Sequence, residues 1–312
     1  MQEKCLHCYL PLNKEETDFH SACSKLLFGT ETPPQLDFSL NEIENLALKV
    51  LGRHNSVTGV QPKLSLELKK EKKGNSRLTI VCLWGNYIFK PPFNRFPGMP
   101  ENEDLTMHLA SLSGIKTASH SLIRMKSGEL GYITKRFDRH NAAKYHVEDM
   151  AQITEVLTER KYSDSMEKVG KAILKYSDYA GNDVIRFFEL TLFCFVTGNS
   201  DMHLKNFSLL RNNDEETEFS PAYDLLAVKL LMPQDKEELA LTLNGKKSNL
   251  RKKDFEKFAD GLGIINKVRD NTFSKLFNSQ KAFEGFIDMS FLNDEMKKGY
   301  KSLISERLTR LQ

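Results

Sequence analysis

No stretch of this 312-residue chain approaches the roughly 20 consecutive apolar residues that a helical membrane span needs. The opening residues, Met1-Gln2-Glu3-Lys4-Cys5, lack the apolar core of a secretory signal. A surplus of one charge is missing too. The chain carries 45 basic and 42 acidic residues, a net charge of +3. That balance gives no global case for nucleic-acid binding. Neither internal repeats nor low-complexity tracts are present, and neither G-x-G-x-x-G nor a Walker motif occurs. Cysteine is scarce and odd in number: there are five, three of them within the first 23 residues. With no export signal, these read as reduced thiols in a cytoplasmic protein that binds no membrane and no specific nucleic-acid sequence.

What remains is an ordinary globular composition, 40% hydrophobic and 28% charged. The length suits two domains or one two-lobed unit. The first half reads as strands. Alternation runs through Leu64-Ser65-Leu66-Glu67-Leu68, residues 78–84, residues 86–90, residues 120–125 and residues 130–137. A helix is expected over residues 39–51, with Ser39 and Glu42 as its capping box, and another from Pro100 to about Ser113. After residue 139 helices are expected at 146–157, 165–176, 183–196, 250–262, 267–278 and 293–311. Short strands are expected at 206–211 and 217–230, and a last strand and turn at 239–246. A sheet-rich first part followed by a helical second part predicts an α+β chain of two lobes. The expected boundaries are a Cys/His segment at 1–35, a β-rich lobe at 36–138 and a helical lobe at 139–312.

Three local patterns carry chemistry. The first is Cys5-x2-Cys8, eleven residues, then His20-x2-Cys23. Four N and S donors in two x2 pairs suit a tetrahedral structural zinc ion. The alternative is a Cys-rich lead segment without metal. The second is the loop Asn55-Ser56-Val57-Thr58-Gly59-Val60-Gln61-Pro62-Lys63, whose backbone amides could cradle phosphate oxygens. By itself, with one Gly and neither phosphate-binding motif, it reads first as an ordinary turn into a strand. The third is Gly198-Asn199-Ser200-Asp201-Met202-His203-Leu204-Lys205-Asn206, at the end of an apolar run that Gly198 would close. Asp201 and Asn206 have four residues between them, the D-x4-N spacing of a kinase catalytic loop. Asp224 lies 18 residues beyond Asn206, which leaves room for a β-hairpin between two metal ligands. Lys90, at a strand end, sits where a kinase keeps the lysine that pairs with the α- and β-phosphates. Phosphate loop, strand Lys, strand end at Lys135-Arg136-Phe137-Asp138, D-x4-N and metal Asp occur in kinase order.

The segments Ser56-Val57-Thr58-Gly59-Val60-Gln61-Pro62-Lys63, Tyr132-Ile133-Thr134-Lys135-Arg136-Phe137-Asp138-Arg139, His146-Val147-Glu148-Asp149, the Asp201 loop, Pro221-Ala222-Tyr223-Asp224 and the 240–246 turn resemble HipA-type bacterial serine/threonine kinases. These are the toxins of toxin–antitoxin modules. The resemblance runs from about residue 50 to the C-terminus and implies a protein-kinase-like fold and the following roles. Asp201 is the catalytic base, with His203 in the same loop, and Asn206 and Asp224 hold Mg2+. Val57, Thr58, Gly59, Val60, Lys63, Lys90, Arg136 and Phe137 bind ATP. The family commonly has an acidic residue where this chain has Lys135, so only a backbone contact to the nucleotide is expected there. Ser56 and Thr58 are the implied autophosphorylation sites. The short Cys/His lead segment resembles the HipT-like branch, in which a separate small protein supplies the missing N-terminal subdomain and acts as antitoxin. A helix-turn-helix repressor and an aminoacyl-tRNA synthetase substrate are further implied partners. Two other readings use the same residues: a small-molecule kinase for alcohols, antibiotics or lipids, and a catalytically silent kinase-fold interaction module.

Overall fold

A computed structural model describes residues 3–43, 45, 61–70, 76–81, 85–140 and 143–312, with the side chains of Lys70 and His140 left aside. The chain clusters into two compact units. The first comprises residues 1–104, 118–137 and 289–292; the second comprises residues 105–117, 138–288 and 293–312. Relative to the sequence boundaries, residues 105–117 cluster with the second unit and 289–292 with the first. The described residues contain no helix long and apolar enough to cross a membrane.

The first unit is built on one antiparallel sheet. Its strands are β1 (Leu64–Lys70), β2 (Ser76–Ile80), β3 (Tyr87–Lys90), β4 (His120–Arg124) and β5 (Leu130–Lys135), in the spatial order β2-β1-β3-β5-β4. Alternation selects one face: Leu66, Leu78, Phe89, Ile123 and Ile133 share it through the strand register and are all buried. Lys90 stands opposite Tyr132 in the β3–β5 register, one position after Phe89 opposite Ile133. Gly131 has a packing role here, because a Cβ at that position would lie 2.3 Å from the Phe89 ring. The short helix α1 (Ser21–Phe28) precedes the sheet. The expected capping box also forms. Ser39 Oγ and backbone N–H both donate to the Glu42 carboxylate, and Glu42 N–H donates back to Ser39 Oγ. The rest of that expected helix, residues 44 and 46–51, falls outside the described residues. Helix α2 (Met99–Leu112) follows β3. The expected apolar face of α2 is only part of its burial, since Asn102, Glu103, Asp104 and Thr106 are enclosed as well, while Leu112 is exposed.

The second unit is helical around one element, α5 (Ala180–Thr197). The helices α4 (Met166–Tyr176), α6 (Lys252–Gly261), α7 (Asn266–Asn278), α8 (Gln280–Met289) and α9 (Asp294–Thr309) follow the expected positions, except that α8 was not expected. Ser165 and Asn293 cap α4 and α9 by accepting from the N–H three residues on. From Phe187 to Thr197 only Glu189 keeps partial exposure. A helix apolar on all sides must be enclosed on all sides. Phenylalanines supply much of that enclosure: Phe187 meets Phe207, Phe219 and Phe258 edge-on, with centroids 5.3, 6.0 and 5.9 Å away. Phe195 meets Phe255 at 5.0 Å.

Three expectations need correction. Residues 146–157 are not one helix. They form strand β6 (Val147–Asp149) and the four-residue α3 (Met150–Ile153). A non-local pairing overrides the helical pattern, because β6 pairs with β7 (Ser208–Arg211), Val147 opposite Leu210. Residues 217–230 stay extended only through β8 (Thr217–Phe219), which completes the sheet β8-β7-β6. Pro221 and the left-handed backbone at Asp224, φ 60°, break the run. Residues 239–246 form a turn with isolated bridges rather than a strand.

Gly198 ends α5 with φ 69° and sends its N–H back to the carbonyls of the last turn. A Cβ there would meet Leu303 Cδ2 at 2.7 Å and Lys229 Cβ at 2.9 Å. Gly198→Ala therefore combines left-handed strain with a clash, and should lower stability by about 1–3 kcal/mol in urea denaturation. Wild-type stability in that variant would contradict the assignment.

Candidate functional site

Two sets of residues carry the chemistry expected from the sequence, one in each unit, and a third set holds the Cys/His donors. The first set is an ion pair. Lys90, at the end of β3, places Nζ 2.5 Å from Glu103 Oε1 on α2. Both are almost fully buried, Lys90 at 4% and Glu103 at 1% exposure. The Lys90 ammonium also lies 5.3 Å from the Tyr132 ring centroid, across the register pair. A buried lysine is tolerable only when paired. Glu103 was not singled out in the sequence. The available signal was positional: a kinase strand lysine pairs with a glutamate on the next helix. Glu101, Glu103 and Asp104 all lie early in α2, and only packing selects one of them.

The second set surrounds Asp201. The apolar α5 ends at Gly198, and Asn199, fully buried, accepts the Asp201 N–H on its Oδ1 at 3.1 Å. His203 N–H donates to Asp201 O at 2.8 Å, and Asn206 Nδ2 donates to the same carbonyl at 3.1 Å. One backbone oxygen thus gathers the loop. Phe207, next in sequence, anchors it by its edge-on contact with Phe187. Tyr162 was not anticipated either. Its hydroxyl donates to Asp201 Oδ1 at 2.5 Å, and the His203 ring stands edge-on to Tyr162 at 5.0 Å. Burial first, then the Asp201 hydrogen bond and charge, then the Asp224 charge, push the Tyr162 phenol well above its ordinary pKa. Burial lowers the His203 pKa, although the Asp201 charge opposes it. Its Nδ1 is buried without a hydrogen bond. The Asp224 charge adds to the electrostatic environment of both Tyr162 and His203. The Tyr223 hydroxyl shares a 2.6 Å hydrogen bond with Ser208 Oγ and donates to Lys205 O at 3.0 Å, tying the Asp224 segment to the loop.

The third set is Cys5, Cys8, His20 and Cys23, whose donor atoms all lie within 4.8 Å of one another. Burial first, and for Cys23 the neighbouring Cys5 and Cys8 thiols next, push the Cys8 and Cys23 thiols up. Thiols so close resist joint ionisation without a cation.

The remaining expected residues are more scattered. Ser56, Val57, Thr58, Gly59 and Val60 lie outside the described residues. Lys63 is exposed ahead of β1, while Gln61 beside it is buried and donates to Pro91 O at 2.8 Å. Arg136 donates its backbone N–H to Asn86 O at 2.8 Å, and Phe137 is half-buried.

Comparison with known proteins adds the following. Residues 55–284 match the family model described as the HipA-like C-terminal domain. The presumptive kinase Y4dM of Sinorhizobium fredii is 33% identical over 212 residues, covering 64% of this chain and 50% of that protein. The serine/threonine-protein kinase toxin HipA of Shewanella oneidensis is 27% identical over 231 residues, covering 67% and 52%. The chain therefore spans about half the length of these relatives. The solved structure of the Shewanella oneidensis HipA, HipB and operator DNA complex superposes with a TM-score of 0.68 at 22% identity, covering 82% of this chain and 64% of that one. At that identity the likeness establishes the fold, which is kinase-like.

The buried pair yields a direct prediction. Glu103→Ala strands the Lys90 charge and should cost about 3–5 kcal/mol of stability. Combining Glu103→Leu with Lys90→Met should restore most of it in chemical denaturation. A single variant as stable as wild type would show that the pair is not formed.

Proposed function

Because this chain belongs to the family of HipA-like C-terminal domains, we propose that it is an ATP-dependent serine/threonine protein kinase and the toxin of a toxin–antitoxin module. The observation that carries this reading is the grouping of Asp201, Asn206, Tyr162 and His203, with Asp224 acting on the same two rings. The buried Lys90–Glu103 pair supports it, as the lysine and glutamate that a kinase must pair before it can act.

The donor chemistry fits Mg2+. Asn206 commits its Nδ2 to Asp201 O, so its amide oxygen is the atom left for a cation. With the Asp224 carboxylate it offers the hard oxygen donors that Mg2+ prefers. When bound, Mg2+ would neutralise charge on the phosphoryl oxygens in flight. The chain's own residues do the rest. Lys90 sets positive charge against the ATP phosphates. Tyr162 occupies Asp201 Oδ1 and fixes the carboxylate plane, leaving Oδ2 to accept the proton of an attacking hydroxyl. Catalysis is then positioning and charge balance rather than covalent chemistry.

The loop bearing Ser56 and Thr58 is the proposed first substrate. Phosphate there adds about −2 charge where ATP phosphates must bind, so modification would weaken nucleotide binding and restrain the toxin. An aminoacyl-tRNA synthetase is the proposed external substrate. A small antitoxin protein and a helix-turn-helix repressor are the proposed partners, the latter by analogy with the HipA, HipB and operator DNA complex.

Incubation of the full chain with ATP and Mg2+, followed by intact-mass and peptide mass spectrometry, tests this. One or two added phosphates at Ser56 and Thr58 are expected, and none in the Ser56→Ala/Thr58→Ala double variant. Phosphate transfer to a small alcohol with none to any protein would replace this reading with a small-molecule kinase.

A further inference from the structure

The Cys/His segment stands apart from the kinase reading and carries its own chemistry. Two turns bring its four donors together. In the first, Cys5 N–H donates to Leu10 O and Tyr9 N–H to Cys5 O, both at 2.9 Å, which folds Cys5 and Cys8 onto one side of a tight loop. In the second, His20 stands at the N-cap of α1 and Cys23 in its first turn, so both project from the same helix end. The four donor atoms fall within 4.8 Å of one another. All three cysteines are free thiols. Cys8 Sγ lies 3.3 Å and Cys23 Sγ 3.9 Å from His20 Nδ1. A tetrahedral zinc ion with ordinary Zn–S and Zn–N bonds sets S···N edges of about 3.6 Å, which these two distances bracket.

The surroundings of the donors are also those of a metal centre. His20 Nε2 lies 3.0 Å from Pro11 O, and a carbonyl can only accept, so Nε2 carries the proton. That leaves Nδ1 as the lone-pair nitrogen, and Nδ1 is the atom that faces the sulfurs. The His20 backbone N–H points at Cys5 Sγ at 3.4 Å, an arrangement that stabilises a thiolate. The residue after Cys8 is strained: Tyr9 has φ 64°, a left-handed conformation that a bulky side chain rarely adopts.

The strained residue has a purpose within the same unit. The Tyr9 hydroxyl donates to Asp104 Oδ2 at 2.6 Å, and its ring meets Phe291 edge-on at 5.0 Å. His120 Nδ1 lies 2.6 Å from the other Asp104 oxygen. Leu6 O, inside the Cys5–Cys8 turn, accepts from Ser121 Oγ at 3.1 Å. The turn is therefore fastened to Asp104, the residue after Glu103, and to strand β4.

We propose that Cys5, Cys8, His20 and Cys23 bind one Zn2+ ion, and that this ion holds the Tyr9 turn against Asp104 at the start of helix α2. On binding, the three thiols release their protons to solvent and give a Cys3His centre of net charge −1. The proposal does not depend on the chain being a kinase.

Metal analysis of the full chain, purified under reducing conditions without chelator, tests it. One zinc per chain is expected, falling at least tenfold in Cys8→Ser and Cys23→Ser. If those variants do not fold, wild-type protein stripped of metal and titrated with Co2+ alone decides the matter. Thiolate-to-cobalt charge-transfer absorption with a tetrahedral ligand-field band, saturating at one equivalent, is the expected result. Zinc below one-tenth per chain without cobalt uptake, iron in place of zinc, or full zinc retention in a folded Cys8→Ser variant would overturn the site. Hydrogen exchange tests the link to α2: chelation should speed exchange around residues 101–105 at least tenfold, and unchanged exchange there would overturn the coupling.

Discussion

A carboxylate that must act on another molecule has to stay in place without being buried, and Asp201 meets that constraint from behind. Its backbone carbonyl is gripped by His203 N–H and Asn206 Nδ2, its N–H by Asn199 Oδ1, and one of its own oxygens by Tyr162. The loop itself is tied to the buried helix Ala180–Thr197, through Asn199 N–H donating to Cys194 O at 2.8 Å and through Phe207 packed edge-on against Phe187. The aromatic core and the loop form one device. Rings lock the helix, Gly198 turns the chain sharply out of it, and Phe207 returns the chain to the core after the loop. The proposed phosphoryl transfer would depend on that rigidity, because such a reaction gains most from correct placement.

The sheet unit solves a different problem, that of keeping a cation ready in an apolar setting. Lys90 emerges from β3 beside Tyr132 and meets Glu103, with both side chains nearly dry. Such a pair adds little net stability, but losing one member is costly. The selection for it is more readily understood as chemical than as structural. Asp104, next to Glu103, takes Tyr9 on one oxygen and His120 on the other, so this part of α2 is fixed on two sides.

Much of this was legible in the sequence where the signal was local. The D-x4-N spacing, the closing Gly198, the Ser39–Glu42 capping box and the two x2 pairs of the Cys/His segment are short-range patterns whose geometry follows from their spacing. Long-range partners were not legible. Tyr162 is 39 positions from Asp201, and nothing around it marks it out. Glu103 had acidic neighbours in the same turn, and only the position of Lys90 in three dimensions distinguishes it. Residues 146–157 failed for a related reason: Val147 pairs with Leu210, a contact that no local periodicity encodes. The phosphate-loop residues 55–60 lie outside the described structure, so their part in the site rests on the sequence.

The central claim is that Asp201 serves phosphoryl transfer from ATP. The most direct measurement compares release or transfer of the ATP γ-phosphate by the wild-type chain and by Asp201→Asn, at equal folded concentration with Mg2+ present. The account predicts measurable turnover for wild type and a loss of about 10²-fold or more in the variant, as expected when a positioned general base is removed. Equal turnover in the two proteins would contradict it.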